Sequence, residues 1–349
     1  MQLYNKLSAK ERERLIDAAE SKRLTLSFYK YTKIFNPKLF RDFLFINSSE
    51  LDVLGRIYIA HEGINAQMSI PSERFFAFKD FLNSITFLEK IRLNIAIEQD
   101  DKSFLKLTIK VKEKIVADGL NDNHFDVTKK GVHLNAIEFN DLLSKPNTLC
   151  VDMRNHYESE IGRFKGAITP DVDTFRESLS LIENQLSNYK TNKQIVMYCT
   201  GGIRCEKASA YLKHKGFKNV FQLEGGIIEY SRQVKELRIQ NLFRGKNFVF
   251  DERKGERISD DIISNCHQCG KVSDLHVNCA NESCHLLFIQ CNACKLKMKN
   301  CCSKECMGII ELSIEEQKAL RKGKLNSNKI FKKGRSNNLK FKITPPTFI

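Results

Sequence analysis

The sequence predicts a protein of several domains, of mixed α/β and α+β class. Residues 24–112 carry strand and helix patterns in the order β-α-β-β-α-β, which fits a ferredoxin-like layer of helices on an antiparallel sheet. Residues 128–235 alternate apolar strands with helices, which implies a parallel sheet covered on both faces. Nine cysteines stand between Cys266 and Cys306 and predict a small metal-binding module. A chain of 349 residues is long enough for two or three domains, each with its own core.

The composition is that of a soluble globular protein, with 42% apolar and 28% charged residues. No apolar run approaches the length that spans a bilayer. Residues 1–22 are too charged for a signal peptide and predict a surface helix, with Ser8 and Glu11 placed as a capping box. Twelve cysteines without an export signal indicate a reducing compartment, the cytoplasm, where thiols act as ligands or reactive groups rather than as disulfides.

The first folded domain is predicted over residues 23–120. Its strands are "LTLSFYKY", two within "GRIYIAHEGINAQMS", "IRLNIAIEQ" and "FLKLTIKVK". Its helices are "NPKLFRDFLFIN" and "PSERFFAFKDFLNSI", the second with Pro71 and Ser72 at its start. His61 stands beside a glutamate and is a candidate base, but its place between two strands favours a solvent-facing turn residue.

The second folded domain is predicted over residues 128–235. Its strands are "TLCVDM", "QIVMY" and "NVFQL", and its helices are "DTFRESLSLIENQLSNY", residues 206–215 and a segment that begins near Gly226. Ligands of parallel sheets bind beyond the carboxyl ends of the strands, and Cys199 follows "QIVMY" at such an end. Residues 236–262 are predicted as a linker to the cysteine cluster.

A thiol stands at the head of a glycine-rich loop between a strand and a helix. The loop consists of Cys199, Thr200, Gly201, Gly202, Ile203 and Arg204. Glycines let several backbone N–H groups converge on one point, and the helix N-terminus and the arginine add positive charge. These groups lower the pKa of a thiol from about 8.5, so Cys199 is predicted to be a nucleophilic thiolate whose surroundings also stabilise a persulfide anion. The alternative is a buried structural cysteine.

Cys205 directly follows the loop. It can resolve a persulfide or sulfenate on Cys199. It can equally face the core from the first turn of the helix, and we favour that interpretation.

The cysteine cluster, predicted as a module over residues 263–312, has the spacing of two four-sulfur zinc sites. Its candidate ligands are Cys266, Cys269, Cys279, Cys284, Cys291, Cys294, Cys306 and one of Cys301 and Cys302. An interleaved arrangement joins the first and third pairs, and the second and fourth; a sequential arrangement joins neighbouring pairs. The spacing does not choose between them, and a nearby histidine (His267, His276 or His285) can replace a sulfur. Iron or free thiols are the alternatives to one or two zinc ions.

The chain ends in a strongly basic segment, predicted as a tail over residues 313–349. From Gln317 onward it has ten Lys or Arg and no acidic residue, in a chain of net charge +15. Such a segment attracts phosphate backbones, although it can also serve only solubility. The candidate nucleic-acid contacts are Arg321, Lys322, Lys324, Lys332, Lys333 and Arg335.

The thiol loop "CTGGIR" resembles a rhodanese active-site loop, with cysteine first and arginine last. "VDMRN", "RFKGA" and "LEGGI" are similar to other landmarks of that domain. The related phosphatases and arsenate reductases have a loop longer by one residue, so the resemblance favours sulfur chemistry. It also implies a rhodanese-like domain in which Asp152 and Arg154 brace the loop from the neighbouring strand; a surface ion pair is the alternative for those two.

Five motifs in order extend the resemblance over nearly the whole chain. "FYKY", "GRIYIAHEGINAQ", "CTGGIRCEKASAYL", "GKNFVFDER" and "CHQCG…CHLLFIQC…CCSKEC" together resemble the rhodanese-containing tRNA uridine hydroxylases. That family uses molecular oxygen to hydroxylate carbon 5 of the wobble uridine, position 34, in the anticodon loop. The resemblance therefore implies an oxidoreductase that acts on tRNA, with Cys199 as its persulfide-bearing cysteine.

No flavin, haem or nucleotide motif is evident in the sequence, and no membrane partner is expected. A sulfur donor is a possible partner. Two other classes of function stay open from the residues alone. One is a sulfurtransferase that passes persulfide sulfur to a small acceptor or tRNA, and the other is an RNA-binding adaptor built on the zinc module.

Overall fold

The computed structural model describes residues 3, 7–19, 21–120, 125–322, 336 and 339. Ser8 and Glu11 cap the first helix of the N-terminal part of the structure, as predicted. Its elements are α1 (Ala9–Ala18), β1 (Arg23–Tyr31), α2 (Pro37–Glu50), β2 (Leu54–Ala60), β3 (Gly63–Pro71), α3 (Phe75–Asn83), β4 (Asn94–Ile95) and β5 (Leu107–Val111). The sheet has the order β4-β1-β3-β2-β5, antiparallel except for the β2–β5 pair. The predicted β-α-β-β-α-β order is therefore confirmed, and the predicted strand "FLKLTIKVK" is present as the edge strand β5.

Two predicted elements of this domain are shorter than expected. A 3-10 turn over Ser72–Arg74 follows Pro71, so α3 begins only at Phe75. The strand predicted over "IRLNIAIEQ" pairs with β1 at only two residues, Asn94 and Ile95. Beyond this pair, the backbone N–H of Ile97 donates to the carboxylate of Glu256, outside the sheet, at 2.9 Å.

The central domain contains a parallel sheet, as predicted, and its strand order is β6-β10-β9-β7. Its elements are β6 (Val132–Leu134), α4 (Ala136–Leu143), β7 (Thr148–Asp152), α5 (His156–Ile161), β8 (Gly162–Phe164), α6 (Phe175–Gln185), β9 (Gln194–Tyr198), α7 (Ile203–His214), β10 (Val220–Leu223) and α8 (Gly226–Leu237). β9 lies inside this sheet, and residues 195–198 are buried because helices cover both faces. The carboxyl end of β9 delivers Cys199.

The helix after the thiol loop begins three residues earlier than predicted, at Ile203. Gly202 precedes it in a left-handed conformation, with φ of 99°, which a residue with a side chain rarely adopts. The loop is therefore only Thr200–Gly202, and Ile203 and Arg204 form the first turn of α7. The backbone N–H groups of that turn have no partner inside the helix and face the thiol.

The segment 236–262, predicted as a linker, is a packed part of the structure. It carries β11 (Phe243–Asn247) and β12 (Glu256–Arg257), and β11 pairs with β8 of the central domain. Phe243 is buried against Phe164, with ring centroids 5.2 Å apart. Aromatic burial and strand pairing therefore hold these residues against the central domain.

The cysteine module is small and has few apolar core residues. It consists of a hairpin of β13 (His276–Asn278) and β14 (Leu287–Ile289), followed by α9 (Asn292–Lys297), α10 (Lys304–Ile310) and α11 (Ile314–Arg321). The helix α11 occupies the start of the predicted basic tail. Among the described residues, no helix is long and apolar enough to cross a membrane.

Candidate active site

Cys199 lies fully buried at the junction of β9 and α7. The backbone N–H of Gly202 donates to its sulfur at 3.2 Å. Burial alone would raise the pKa of Cys199, but a hydrogen bond with the Cys205 thiol, the charge of Arg204 and the backbone N–H groups of residues 204 and 205 lower it to about 6. A thiol with this pKa is mostly thiolate at neutral pH, as the sequence predicts.

Arg204 does not stand alone beside the thiol. Its guanidinium donates to both carboxylate oxygens of Glu158 at 2.7 and 2.8 Å and to the Thr200 hydroxyl at 3.2 Å. Glu158 is fully buried on α5. Burial opposes its negative charge, but Arg204 nearby lowers the pKa of Glu158 below its ordinary value. The ion pair with Glu158 fixes the position of the Arg204 guanidinium beside the thiol loop.

Sequence reasoning misses Glu158. A buried arginine requires a carboxylate partner, and that requirement is the only sign in the sequence that an acidic residue such as Glu158 pairs with Arg204. Glu158 stands 46 residues before Arg204 and belongs to no motif that points to the thiol.

Asp152 and Arg154 form a buried pair at the end of β7, which excludes the surface alternative. The Arg154 guanidinium donates to Asp152 at 2.6 and 2.9 Å and to the carbonyl of Gly162 at 2.6 Å. The hydroxyl of Tyr198 donates to Asp152 at 2.7 Å. Because Tyr198 directly precedes Cys199, the pair reaches the loop through this tyrosine rather than by contacting residues 200–204 directly.

Cys205 faces the core, the interpretation that we favour from the sequence, and its role in resolving a persulfide or sulfenate stays a prediction. It is fully buried on the first turn of α7, within the core formed with residues such as Ala208 and Leu212. Burial, together with the hydrogen bond that it shares with Cys199, raises the pKa of Cys205 well above the ordinary value. Cys205 is therefore a neutral thiol that donates to its thiolate neighbour. Cys150, on β7, is likewise a free, buried thiol.

A cavity of about 250 Å³ opens above the thiol. The loop forms its floor, the N-terminal sheet its roof and residues 249–256 one wall. The Tyr29 hydroxyl of the roof donates to Glu206 at 3.1 Å, and the Tyr31 hydroxyl donates to the carbonyl of Ile203 at 3.3 Å. A Cβ at Gly202 would lie 2.8 Å from the Tyr29 oxygen, so this glycine also provides space for the roof.

Buried charges fix the roof on the central domain. Lys207 on α7 is fully buried, with its amine 2.5 Å from Glu62 of the β2–β3 turn and in contact with Asp118. His61 next to Glu62 is an exposed turn residue, as predicted, and contacts the carbonyl of Ile34 at 3.0 Å. The N-terminal domain thus closes over the thiol without contributing a histidine to the cavity.

Eight cysteines of the module form two four-sulfur groups in the interleaved arrangement. The groups are Cys266, Cys269, Cys291 and Cys294, and Cys279, Cys284, Cys302 and Cys306. Sulfur atoms within them lie as close as 3.6 to 3.8 Å. Four thiolates at the zinc–sulfur distance of about 2.3 Å from one ion lie about 3.8 Å apart, so both groups fit tetrahedral zinc.

The remaining sequence candidates lie outside these groups. Cys301 is buried beside the second group, while Cys302 belongs to it. His267 uses both ring nitrogens elsewhere: Nε2 contacts Glu160 at 2.6 Å, and Nδ1 accepts from the backbone of Ile289. His276 and His285 are in neither group. All eight candidate ligands in the two groups are therefore cysteines, and no histidine takes the place of one.

Comparison with known proteins identifies the family. The chain is 53% identical over 334 residues to a protein of Photorhabdus laumondii, covering 95% of each. It is 54% identical over 334 residues to one of Pectobacterium carotovorum, covering 95% of this chain and 94% of the relative, and 54% identical over 313 residues to one of Leptospira interrogans, covering 90% and 85%. All three bear the name tRNA uridine(34) hydroxylase. This chain belongs to the tRNA uridine(34) hydroxylase family. The resemblance predicted from the motifs is confirmed.

Three family models match consecutive parts of this tRNA uridine(34) hydroxylase family member. A UPF0176 acylphosphatase-like domain matches residues 23–115, a rhodanese-like domain 135–233, and a rhodanese C-terminal model 244–307. The last range unites most of the predicted linker with the cysteine module, in agreement with the packing of β11. The domain limits that we draw from the sequence stay a prediction.

The predicted nucleic-acid contacts fall largely outside the described residues of this family member. Lys324, Lys332, Lys333 and Arg335 lie there. Arg321 is at the end of α11, where its guanidinium contacts the carboxylate of Glu282, and Lys322 follows it. Because Arg321 already has an acidic partner, it is a weaker candidate for phosphate binding than its charge alone indicates.

Proposed function

We propose that this protein hydroxylates uridine 34 of tRNA and that Cys199 is its reactive thiolate. Family membership over nine-tenths of the chain supports the reaction, since the relatives bear that activity in their name. The observation that carries the role of Cys199 is a buried sulfur with a pKa of about 6 at the floor of a cavity. Such a sulfur is an effective nucleophile at neutral pH.

The proposed chemistry begins with addition of the Cys199 sulfur to carbon 6 of uracil. The addition makes carbon 5 electron-rich, and molecular oxygen, the co-substrate, reacts there. A two-electron reductant of the thiol class then removes the second oxygen atom as water, and the sulfur leaves carbon 6 as carbon 5 loses its proton. The loop N–H groups and Arg204 stabilise the sulfur anion before addition and after departure.

The site favours an unpaired base over a base pair. A cavity of about 250 Å³ accepts one pyrimidine ring, whereas a duplex does not enter it. Anticodon bases are unpaired and can leave the stack to enter a pocket. This supports the anticodon loop as the part of tRNA that the protein binds.

A second cleft supports binding of the RNA backbone. It has a volume of about 1000 Å³ and lies on the other side of Tyr31. Its basic lining residues are Lys33, His61, Lys129, Lys130, Lys213 and His214, against the acidic Glu62 and Asp126. Glu62 is paired with Lys207 and Lys130 with Glu206, and the remaining lysines, Lys33, Lys129 and Lys213, outnumber Asp126, so the cleft stays positive. Lysines attract phosphates, so we place the tRNA backbone here and propose the basic tail as a further contact.

The two cysteine groups are proposed to hold one zinc ion each. Zinc supplies fold stability to the module but no electrons, since it has a single oxidation state in proteins. Oxygen chemistry is therefore assigned to the thiol site, and the module to structure and RNA contact. We further propose that the protein works in the cytoplasm, where its thiols stay reduced, and that a sulfur donor can load Cys199 as a persulfide.

The decisive experiment is nucleoside mass spectrometry of tRNA from a strain that lacks the gene. Wild-type protein should restore 5-hydroxyuridine. Cys199→Ser should not, because a hydroxyl at this site is not ionised at neutral pH. Cys150→Ser, which alters a buried thiol outside the cavity, should restore the nucleoside and serves as the control. Undiminished product with Cys199→Ser would exclude the proposed role of the thiol.

The rhodanese-like match over residues 135–233 favours a second candidate, transfer of persulfide sulfur. In that case the same strain should lack a thiolated nucleoside and retain 5-hydroxyuridine. Loss of neither nucleoside would favour an adaptor without enzymatic activity.

A further inference from the structure

One aromatic side chain of the N-terminal domain stands in solvent beside the second cleft. Phe35 follows β1 and is 80% exposed. The centroid of its ring lies 4.9 Å from the ammonium nitrogen of Lys33, and Lys33 lines the cleft in which we place the tRNA backbone. We infer that Phe35 is a stacking platform for an unpaired base of the anticodon loop other than the base that reacts; the inference rests on the proposed function.

The chain is fixed on both sides of Phe35. Ile34 is buried, its backbone N–H donates to the carbonyl of His61 at 2.9 Å, and its carbonyl contacts Nδ1 of the same histidine at 3.0 Å. Asn36 caps α2, because its side chain accepts from the backbone N–H of Leu39 at 3.1 Å. The ring is therefore presented from a backbone that is already ordered, so little backbone entropy is lost when a base stacks on it.

Helix capping does not bury this ring. Phe35 precedes the N-cap residue Asn36, a position from which an apolar side chain often packs against the fourth residue of the helix, here Phe40. Phe40 packs against Phe43 and Phe87, with ring centroids 6.5 and 5.2 Å apart, while Phe35 keeps four-fifths of its surface in solvent. The ring is thus available to a partner from outside the chain.

The groups around Phe35 favour RNA as that partner. The exposed Lys33 stands over the ring on one side, so a flat partner stacks on the other face. Lys33, Lys129 and Lys213 give the neighbouring cleft the positive charge that attracts phosphates. Every nucleobase has a π-face that stacks on an aromatic ring. An aromatic ring beside a basic groove is the combination by which proteins bind unpaired nucleotides.

Phe35 lies near enough to the thiol site to contact the same RNA loop. The Tyr31 hydroxyl donates to the carbonyl of Ile203, on the first turn after the thiol loop, at 3.3 Å. Phe35 is four residues farther along the chain than Tyr31, and four residues span at most about 14 Å. A loop that inserts uridine 34 into the cavity above Cys199 therefore passes the platform with a neighbouring nucleotide.

The test measures the affinity for an anticodon stem-loop by fluorescence anisotropy at fixed salt concentration. Phe35→Ala should weaken binding by about 5-fold to 150-fold, the range for one base that loses its aromatic partner. Phe35→Leu keeps an apolar side chain without a ring and should lose nearly as much. Phe35→Trp should bind at least as tightly as the wild type. Undiminished affinity in the Leu variant would overturn stacking as the interaction.

Phe76→Ala is the matched control. Phe76 is 73% exposed, but it follows Pro71, which pairs with Arg23 at the opposite end of β1 from Tyr31. The substitution removes a comparable apolar surface and should leave the RNA affinity unchanged. Equal losses in Phe76→Ala and Phe35→Ala would overturn the assignment of the platform to Phe35.

Abasic stem-loops identify the stacked base. With wild-type protein, one abasic loop position other than 34 should cost as much affinity as Phe35→Ala. Combining the two changes should cost little more than either alone, because both remove the same contact. Loss of base 34 should add to the effect of Phe35→Ala, since that base enters the other cavity. Full additivity at every loop position would overturn the inference.

Hydroxylation, measured in parallel, separates this inference from the proposed function. Phe35→Ala should raise KM for the stem-loop and leave kcat unchanged, because the ring does not contact the reacting atoms. RNA binding that depends on Phe35 without formation of 5-hydroxyuridine would overturn the reaction and leave the platform in place. Unchanged RNA affinity in Phe35→Ala would overturn the platform, and weaker self-association of that variant in sedimentation would then assign the ring to a contact between copies of the protein.

Discussion

The thiol loop and the cysteine module both depend on sulfur, but they stabilise its negative charge in different ways. Cys199 is surrounded by the core of a parallel sheet, and backbone N–H groups with Arg204 hold its anion. The module has eight clustered sulfurs and few apolar residues around them. Hydrogen bonds leave a thiolate open to react, whereas four thiolates on one metal ion form a closed site. On our proposal, sulfur serves chemistry in one region and stability in the other.

Metal removal should show the largest difference between the two regions, because it should unfold the cysteine module and leave the thiol loop folded. Structural zinc binding contributes about 10–16 kcal/mol to folding in small zinc domains, so a chelator should unfold the module. Hydrogen exchange should then show lost protection in β13 and β14 and retained protection in β9 and α7, which do not depend on metal. Retained protection of the hairpin after complete metal loss would contradict this prediction. Metal analysis of the untreated protein should give two zinc ions per chain.

Glu158→Gln should be the most damaging change to the thiol loop region outside the sulfur itself. It removes the carboxylate that is hydrogen-bonded to the buried Arg204 and leaves only the Cys199 thiolate near that charge, and breaking a buried pair costs about 3–5 kcal/mol. The measurement is the free energy of unfolding in urea. Glu236→Gln removes an equally direct partner from Arg232 on the exposed face of α8, and should cost no more than about 1 kcal/mol. Equal losses in the two variants would show that burial does not govern the Arg204 pair.

The smallest effect concerns pH. The pKa of Cys199 is lowered to about 6, so the thiolate predominates above pH 6 and is lost as the pH falls below it. Alkylation of Cys199, followed by peptide mass spectrometry, should therefore reach half its maximal rate near pH 6. Because the folded pKa lies below the unfolded value of about 8.5, the stability contributed by this group is fully present above that value and is lost as the pH falls from there through about 6.

Cys205 is the internal reference for that titration. Its pKa is raised by burial and by the adjacent thiolate, so it should stay unmodified where Cys199 reacts. A Cys199 midpoint near the ordinary thiol value of about 8.5 would contradict the proposed anion-stabilising loop.

Local patterns predict the strands, the helices and the place of the thiol well. The run "QIVMY" must be a buried strand, and two glycines after a cysteine determine a tight turn before the next helix. Capping of α1 by Ser8 and Glu11 follows from residues three positions apart. Such features depend on neighbours in sequence, which is why they are predictable.

Features that join distant segments are not predictable in this way. The spacing of the cysteine pairs is the same for both arrangements, and only the fold of the hairpin brings residues 266–269 to 291–294. Glu158 reaches Arg204 across 46 residues, and Asn94 reaches Gly201 across 107. Phe243 shows the same limit, because its partner Phe164 belongs to another strand. Each contact depends on how domains and layers pack, which periodicity does not encode.

The roof over the thiol comes from a different part of the chain than the floor. A rhodanese-like segment cut out at 135–233 would keep its sulfur and its supporting arginine, yet it would lose the surface that faces the incoming molecule. Exchanging the N-terminal domain between relatives should therefore separate the choice of substrate from the reaction at the thiol. Replacing the first hundred residues should change which molecule the cavity admits, while the sulfur of Cys199 on the cavity floor should keep its reactivity.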